Sequence, residues 1–338
     1  MNLVNKIKEV IRKHKLIAPR STVIVGISGG PDSVALAGVL ERIKNDLGIE
    51  VVWAHFNHAL RPGAGTDQKF VEALAKKWNI PCHSGRWARN SLPQKGSLEE
   101  LARMQRLKFF GILAKKYPLP VIALAHNQDD LAETVLMRIL RGSGLSGIRG
   151  ILPSRELNGV TFVRPLLNVS RAEILKYLKE RKQPYRTDPT NRQTKFLRNK
   201  IRLELLPLLE KKYNANIREV LLNFSENASA DYEFLETFVQ KTFNRLAVTM
   251  KGEAGVKLSS AGLKETPAAI QRMVLRKAVA TVKGDTRRFN LRHIQELAGL
   301  IGNKPNGATL HLPCNIRAFR DGRHLVIRRQ KQIHRRKT

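Results

Sequence analysis

The sequence predicts an α/β protein in which a parallel sheet carries helices on both faces, followed by a small C-terminal α+β domain. Three observations point to this. Over the first two hundred residues, short apolar runs alternate with helical patterns, the signature of strand–helix units. Polar, chemistry-bearing segments directly follow three of these runs, at the strand ends where ligands of such sheets bind. After Pro207 the pattern changes to long helical periodicity and then to short helices and strands.

Residues 1–15 read as an amphipathic basic helix with Leu3, Ile7, Val10 and Ile11 on one side. The segment has no apolar signal core and no small-residue cleavage site, so it is expected to be a domain helix rather than a transit peptide. Thr22–Gly26 is a β-branched run, followed by a glycine-rich loop and a helix over 33–45. Val51–Phe56 is the next strand and Asp67–Trp78 the next helix. Ser97 and Glu100 form a capping box opening a helix. Val121–Ala125 reads as a strand, leading to a helix over 130–140. Ser170 and Glu173 form a second capping box for a helix ending at Arg181. Residues 208–245 are expected to be one or two helices, with Leu221, Phe224, Ala228, Tyr232 and Leu235 at helical spacing. Residues 251–256 read as a glycine-containing loop. Beyond it come a strand near Val256, helices near 267–282 and 290–301, and strands near Thr309, Ile316 and His324.

Composition narrows the partner class. The 338 residues contain 61 Lys and Arg against 28 Asp and Glu, a net charge of +33. Such an excess repels itself unless a polyanion is near, and nucleic acid is the natural one, because phosphate contacts release counterions. Cys82 and Cys314 are the two cysteines, without a CxxC pair, which excludes a disulfide scaffold or four-cysteine zinc site and fits a reducing, cytoplasmic setting. No apolar run approaches the roughly 20 residues that span a bilayer.

Gly26–Ser33 reads Gly-Ile-Ser-Gly-Gly-Pro-Asp-Ser. Glycines here let the backbone approach phosphate oxygens, and the following helix start supplies free N–H groups. Ser28 and Ser33 add hydroxyl donors. The loop lacks the Gly-Lys-Ser/Thr ending of a Walker A motif and the GxGxxG of a dinucleotide site. Asp32 makes sense in such a loop if it holds a Mg2+ ion that the phosphates share. His55–Arg61 (His-Phe-Asn-His-Ala-Leu-Arg) leaves the second strand; His55 and His58 are either structural or ligand-facing, and Arg61 suits a phosphate. His126–Thr134 (His-Asn-Gln-Asp-Asp-Leu-Ala-Glu-Thr) crowds His126, Asp129, Asp130 and Glu133 at one helix start. Asp129 alone is expected as an N-cap. Asp130 and Glu133 share a face, and clustered acids suit Mg2+ binding, amine recognition or proton removal.

Taken in order, these motifs resemble the tRNA(Ile)-lysidine synthetases, a branch of the PP-loop ATP pyrophosphatases with a Rossmann-like catalytic fold. The resemblance continues through Glu99, Ala102, Arg103 and Arg106, the loop Arg141–Gly147, Arg164–Leu167, Asp188–Asn191 and Arg198–Arg202. It extends into a first C-terminal domain through Pro267–Arg276, Leu312–Pro313 and Leu325–Arg328. It stops where longer members carry a second C-terminal domain, so a short form is expected. Pro31 departs from the common pattern at a position that contributes no side-chain ligand.

The resemblance implies ATP-dependent adenylation of O2 of the first anticodon cytosine of tRNA(Ile) with a CAU anticodon. Attack of the free L-lysine ε-amine at C2 then gives lysidine, changing codon specificity from AUG to AUA. Ser28, Gly29, Gly30, Asp32 and Ser33 would grip the pyrophosphate, with Asp32 and Asp130 as Mg2+ ligands. His58 and Arg106 would contact the nucleotide. His126 and Arg198 would stabilise charge on the α-phosphate. Asp130 is the candidate base for the lysine amine, and Glu133 the candidate holder of its ammonium. A PP-loop tRNA 2-thiolase is the alternative, against which stands the lack of paired cysteines. The expected organisation is a catalytic domain at 1–207, a helical linker at 208–245 and a basic tRNA-binding domain at 246–338. A homodimer is compatible with this reading and a membrane partner is not expected. From Arg317 to Thr338 there are nine Lys or Arg and one Asp; Arg317, Arg320, Arg323, Arg328, Arg329, Lys331, Arg335, Arg336 and Lys337 are expected to meet tRNA phosphates.

Overall fold

The computed structural model describes residues 2–59, 63–87, 98–187, 197–250, 255–302 and 304–330. The chain divides into two compact units, residues 1–228 and 229–338.

The first unit is built on a six-stranded sheet. Its elements are α1 (Leu3–Lys13), β1 (Thr22–Gly26), α2 (Pro31–Leu47), β2 (Glu50–Asn57), α3 (Ala64–Trp78), β3 (Cys82–Arg86), α4 (Leu98–Ala114), β4 (Pro120–Ala123), α5 (Gln128–Leu140), α6 (Leu145–Ile148), β5 (Ser154–Leu157), β6 (Val160–Val163) and α7 (Arg171–Glu180). After them come α8 (Leu197–Lys200), a π-helical turn over Ile201–Leu205, α9 (Leu206–Lys212) and the start of α10 (Ile217–Leu246). The strand order is β3-β2-β1-β4-β6-β5. β1, β2, β3, β4 and β6 run parallel, and β5 closes the edge as an antiparallel hairpin partner of β6.

The central strand shows why helices must cover both faces. Val23 and Val25 are fully buried in a core shared with Leu36 and Leu40 of α2, Val71 of α3 and Ile174 of α7. Ile24 points the other way, into a core with Ile122 of β4 and Phe110 and Leu113 of α4. Burying each such side chain contributes roughly 1.5–3 kcal/mol relative to exposure. A strand apolar on both sides cannot stand at a solvated face.

Two features correct the sequence reading. The sheet is parallel as expected except at its edge, where β5 runs antiparallel to β6, and the sequence pattern marks neither β3 nor the β5–β6 pair as strands. β5 is a short, polar edge strand without a hydrophobic signature. Its marker is the turn Asn158-Gly159, with φ of 53° and 75°, the favoured two-residue hairpin connection. β3 reads Cys-His-Ser-Gly-Arg and is held in the sheet by backbone pairing with β2.

The second unit contains the rest of α10, β7 (Ala247–Thr249), β8 (Gly255–Ser259), α11 (Ser260–Lys264), α12 (Ala268–Lys283), α13 (Leu291–Ile301), β9 (Thr309–Leu312), β10 (Ile316–Asp321) and β11 (His324–Arg329). Its antiparallel sheet has the order β7-β8-β11-β10-β9. Val256, Leu258, Ile316, Ala318, Leu325 and Ile327 form one core with Val274, Leu275 and Ala278 of α12 and Ile294 and Leu297 of α13. Strand alternation sends Arg317, Phe319 and Arg328 to the opposite face, where both guanidiniums sit over the Phe319 ring, at 5.5 and 5.2 Å from its centroid. Lys331, Arg335, Arg336 and Lys337 lie outside the described residues. Among the described residues no helix is long and apolar enough to cross a membrane.

Candidate active site

The loops leaving β1, β2, β4 and β6 all open at the carboxyl edge of the first sheet, because those strands are parallel. There the chain places most of the residues singled out from the sequence.

The loop after β1 is shaped to receive an anion. Gly29 has φ +85°, a conformation that L side chains rarely adopt, and a Cβ there would come within 3.3 Å of Phe70. Gly30 is the N-cap of α2 and supplies no side-chain cap. Pro31 at the first turn lacks an N–H that the helix would leave unbonded in any case, so it is compatible with the helix start. The serines hold the loop's shape. The Ser33 hydroxyl donates to Gly30 O at 2.9 Å and accepts from Ser28 N at 3.1 Å, while Ser28 Oγ accepts from Gly30 N at 3.3 Å. Arg186 N closes the loop from outside by donating to Gly29 O at 2.8 Å.

Several buried polar atoms of the residues singled out from the sequence have no hydrogen-bond partner among the described residues: Asp32 Oδ1, His55 Nε2, His58 Nδ1, Arg106 Nε and His126 Nδ1. His55 Nδ1 is anchored on Ile27 O at 2.9 Å, so of this pair it has a structural bond, while His58 packs edge-on to Phe56. Burial, with Arg106 adding repulsion, pushes His58 down to about 4. Burial does the same to His126, also to about 4; Asp130 works in the opposite direction, and Arg164, Arg106 and Arg198 add to the fall. Both imidazoles are therefore neutral near pH 7 and offer hydrogen bonds rather than charge.

Among the acids, Asp32 pairs with Arg171 at the start of α7. Burial nevertheless outweighs that guanidinium, and with Asp130 repelling as well, the carboxyl is raised to about 6. At the start of α5 the N-cap is Asn127, not Asp129. Asn127 Oδ1 accepts from Asp130 N at 3.0 Å, and Asp130 Oδ2 accepts from Asn127 N at 3.1 Å, a reciprocal capping box. Asp129 serves elsewhere, accepting from Arg171 N and from Arg218 of α10. Glu133 is completely buried. Its oxygens accept from Arg198 Nε at 2.9 Å and Arg202 Nε at 2.5 Å, and Asp130 Oδ1 accepts from the same two arginines at 2.9 and 3.2 Å. Burial works against the Arg202 charge, but Glu133 and Asp130 outweigh it and hold the guanidinium above its ordinary value.

The structure thus gathers Asp32, Asp130, Glu133, His126, Arg198 and Arg202, and puts His58 and Arg106 at the same edge. Arg171 was missed by sequence reasoning, because nothing local marks a residue whose partner is 139 positions away. Arg202 was quoted within its motif without a role. Arg61, Ser97, residues 188–191, Phe196 and the loop at 251–254 lie outside the described residues. No group of three or more His, Cys, Asp or Glu among the described residues could cage a metal by itself. Asp32 alone offers an open carboxylate oxygen, since both oxygens of Asp130 are taken by Arg198, Arg202 and Asn127 N. Mg2+ is typically held by one or two carboxylates, its other positions filled by water and substrate phosphates, and the unpartnered, buried Asp32 Oδ1 is the donor such an ion needs.

Fold and site together define a phosphate-binding α/β domain of nucleotide type. The family model of the PP-loop domain matches residues 1–209. Among curated proteins, the tRNA(Ile)-lysidine synthase of Clostridium perfringens is 37% identical over 298 residues, 87% of this chain and 62% of that protein. That of Caldanaerobacter subterraneus subsp. tengcongensis is 34% identical over 332 residues, 97% of this chain and 70% of that protein. That of Clostridioides difficile is 33% identical over 342 residues, 98% of this chain and 72% of that protein. The chain thus belongs to the PP-loop proteins and, among them, to the tRNA(Ile)-lysidine synthase family. It spans 62% of the length of the first of these relatives and 72% of the last. Among solved structures, the U34-tRNA thiolase NcsA from Methanococcus maripaludis shares the fold, with a TM-score of 0.54 and 15% identity over 66% of this chain and 77% of that one. Of the two cysteines, Cys82 is half-buried on β3, and burial pushes its thiol up to about 11, the reverse of what a reactive thiol needs.

Proposed function

We propose that this chain makes lysidine in tRNA(Ile), using ATP and free L-lysine. The observation that carries the reading is the shared edge of an uncapped phosphate loop and the Asp32–Asp130–Glu133 acids, in a chain whose relatives bear that name. In the first step O2 of the anticodon's first cytosine attacks the α-phosphate of ATP, and pyrophosphate leaves. In the second the lysine ε-amine attacks C2, AMP leaves, and the nitrogen gives up a proton.

Each residue has a task that its surroundings support. The loop Ser28–Ser33 takes the leaving pyrophosphate on backbone N–H groups and hydroxyls. Asp32 and Asp130 would hold Mg2+, which when bound supplies positive charge against the phosphates. His58 and Arg106, with Nδ1 and Nε unpartnered, would bind the nucleotide. His126, neutral before ATP binds, and Arg198 would face the α-phosphate as charge builds there. A free lysine amine has a pKa near ~10.4, so it needs a base, and Asp130 is the one proposed. Glu133 would hold the ammonium, which requires the amine to take the place of a guanidinium. The setting proposed is the cytoplasm.

The test is mass spectrometry of anticodon-loop nucleosides after incubating tRNA(Ile) with ATP, Mg2+ and labelled lysine. The label should appear in one nucleoside, at the anticodon's first position, in an ATP-dependent way. Recovery of unmodified cytidine alone, or of 2-thiocytidine when a sulfur donor replaces lysine, would overturn it.

The basic end of the second unit is proposed to grip tRNA phosphates. Neutralising Arg328, Arg329, Arg335 and Arg336 to Gln together should weaken tRNA binding and reduce its salt slope by about one unit per lost phosphate contact. The KM for ATP should not change. Filter binding across a salt series checks this, and an unaltered slope would assign these charges to solvent.

A further inference from the structure

One group of arginines in the first unit has no task in the steps above. Arg164 follows the last residue of β6 and so stands at the carboxyl edge. It lies two residues beyond Phe162, on the same face of the sheet. Arg155 on β5 is the direct cross-strand partner of Phe162, which gives it that face too. Phe162 meets Phe110 of α4, with ring centroids 6.4 Å apart. On α4, Arg103 stands two turns before Phe110, on the same stripe. Strand register and helix period therefore converge on one place, the α4 face of the sheet at its carboxyl edge.

Charge accounting agrees with this placement. Burial first, then Arg155 and Arg103, depress Arg164 to about 10. Arg138 of α5 is depressed by burial and then by Arg155, Arg103 and Arg141, so Arg138 and Arg141 belong to the same cluster. Arg138 donates to Gly147 O at 2.7 Å and Arg164 to Leu152 O at 2.8 Å. These are carbonyl contacts, which orient a guanidinium without neutralising it. None of the five pairs with a carboxylate among the described residues, whereas Arg171, Arg198, Arg202 and Arg218 each do. Glu156 adjoins Arg155 in sequence, but strand alternation turns it to the other face. Arg164 is buried with its Nε unpartnered. A cluster of like charges held this way repels itself unless an anion joins it. It adjoins the reaction centre, since Arg164 also acts on His126.

We propose that Arg103, Arg138, Arg141, Arg155 and Arg164 form a track for the RNA phosphodiester backbone, gripping the nucleotides that flank the reacting base. This rests on the functional reading above and adds the surface that delivers the base to it. Exposed Arg103, Arg141 and Arg155 would carry the phosphate contacts, while Arg138 and Arg164, braced on carbonyls, form the floor. A base that must leave its stack to be adenylated needs its flanking phosphates held.

The experiment measures tRNA binding by filter retention across a salt series, and ATP binding separately, for the Arg103→Gln, Arg141→Gln, Arg155→Gln triple variant. All three side chains are exposed, so the fold should tolerate the changes. The expected result is at least a ten-fold loss of tRNA affinity, a salt slope lower by about 2–3 units, and ATP affinity within two-fold of the starting protein. The corresponding triple Lys variant should keep most of the slope, which separates lost charge from lost fold. An unchanged slope in the Gln variant would overturn the proposal. So would loss of ATP binding with tRNA binding intact, which would give the cluster to the triphosphate. A protein that forms no lysidine yet loses its RNA slope in this variant would sink the functional reading and leave the track standing. A lysidine-forming enzyme with an indifferent slope would do the reverse.

Discussion

Replacing Asp32 by Ala should abolish adenylation itself, not only lysine transfer. Asp32 sits in the first turn of α2, beside the loop proposed to take the leaving pyrophosphate, and one of its oxygens is buried with no partner. The carboxyl is raised to about 6 by burial, with Asp130 adding repulsion. A position that holds a carboxylate against its own solvation is built for a cation that arrives with the substrate. Removing one preorganised electrostatic partner of a reacting centre typically costs ~10²–10³ in rate, and tRNA-dependent pyrophosphate release should fall by at least that much. Stability should move the other way. An acid whose pKa is raised from 3.8 to about 6 in the folded state loses folding free energy progressively as pH rises through that window, and the loss is complete above it. At pH 7 Asp32 therefore costs folding free energy, partly offset by Arg171. An Asp32→Asn variant should melt no lower than the parent while losing pyrophosphate release. Near-parental release would end the assignment, and a lowered melting temperature would make Asp32 a structural ion-pair partner instead.

The sequence exposes some of these features and hides others for physical reasons. The β1 run and its glycine loop are legible because local rules dictate them: β-branched residues for a strand, and glycines where φ must be positive or a backbone must approach a ligand. The second unit's helices and strands are legible because each buries one face in a single small core, so hydrophobic periodicity survives. Asn158-Gly159 is a local signal for the β5–β6 hairpin, both residues having positive φ. β3 carries no such signal, since an edge strand rich in polar residues is placed by its neighbour's backbone. The acid cluster of α5 is visible as composition, but its organisation is not. Which acid caps the helix depends on backbone geometry at Asn127. Arg198 and Arg202, four residues apart, clamp Asp130 and Glu133 from the junction of α8 with a π-helical turn over Ile201–Leu205, a local irregularity of a kind frequent at functional sites. Arg171 on Asp32 arises from tertiary packing across 139 positions, whereas Arg155 beside Arg164 follows from the register of the β5–β6 hairpin.

That clamp shapes what should happen when the second step is attacked by mutation. Asp130→Asn should slow lysidine formation by ~10²–10⁴, the usual weight of a general base. Its cost to folding should be modest, because the amide oxygen can still accept from Arg198 and Arg202, Glu133 still pairs both guanidiniums, and Asn127 keeps its own half of the cap, the bond from Asp130 N. If Asp130 also serves the metal, pyrophosphate release will fall with it, and comparing the two rates separates the roles. Glu133 demands a gentler change. It is fully buried between two guanidiniums, and Glu133→Ala would leave those charges with Asp130 alone, a loss that in buried pairs runs to ~3–5 kcal/mol. Glu133→Gln keeps the volume and two acceptor lone pairs while removing the charge. With preformed adenylated tRNA in a single turnover, this variant should need at least ten-fold more lysine to reach half-maximal rate, while adenylate formation stays within a few-fold of the parent. An amine that binds by displacing Arg198 or Arg202 from a carboxylate must lose affinity when that carboxylate becomes an amide. Lysine dependence unchanged in Glu133→Gln, in a variant that melts like the parent, would remove Glu133 from the lysine site. It would then be left as the anchor that holds Arg198 and Arg202 in place beside Asp130.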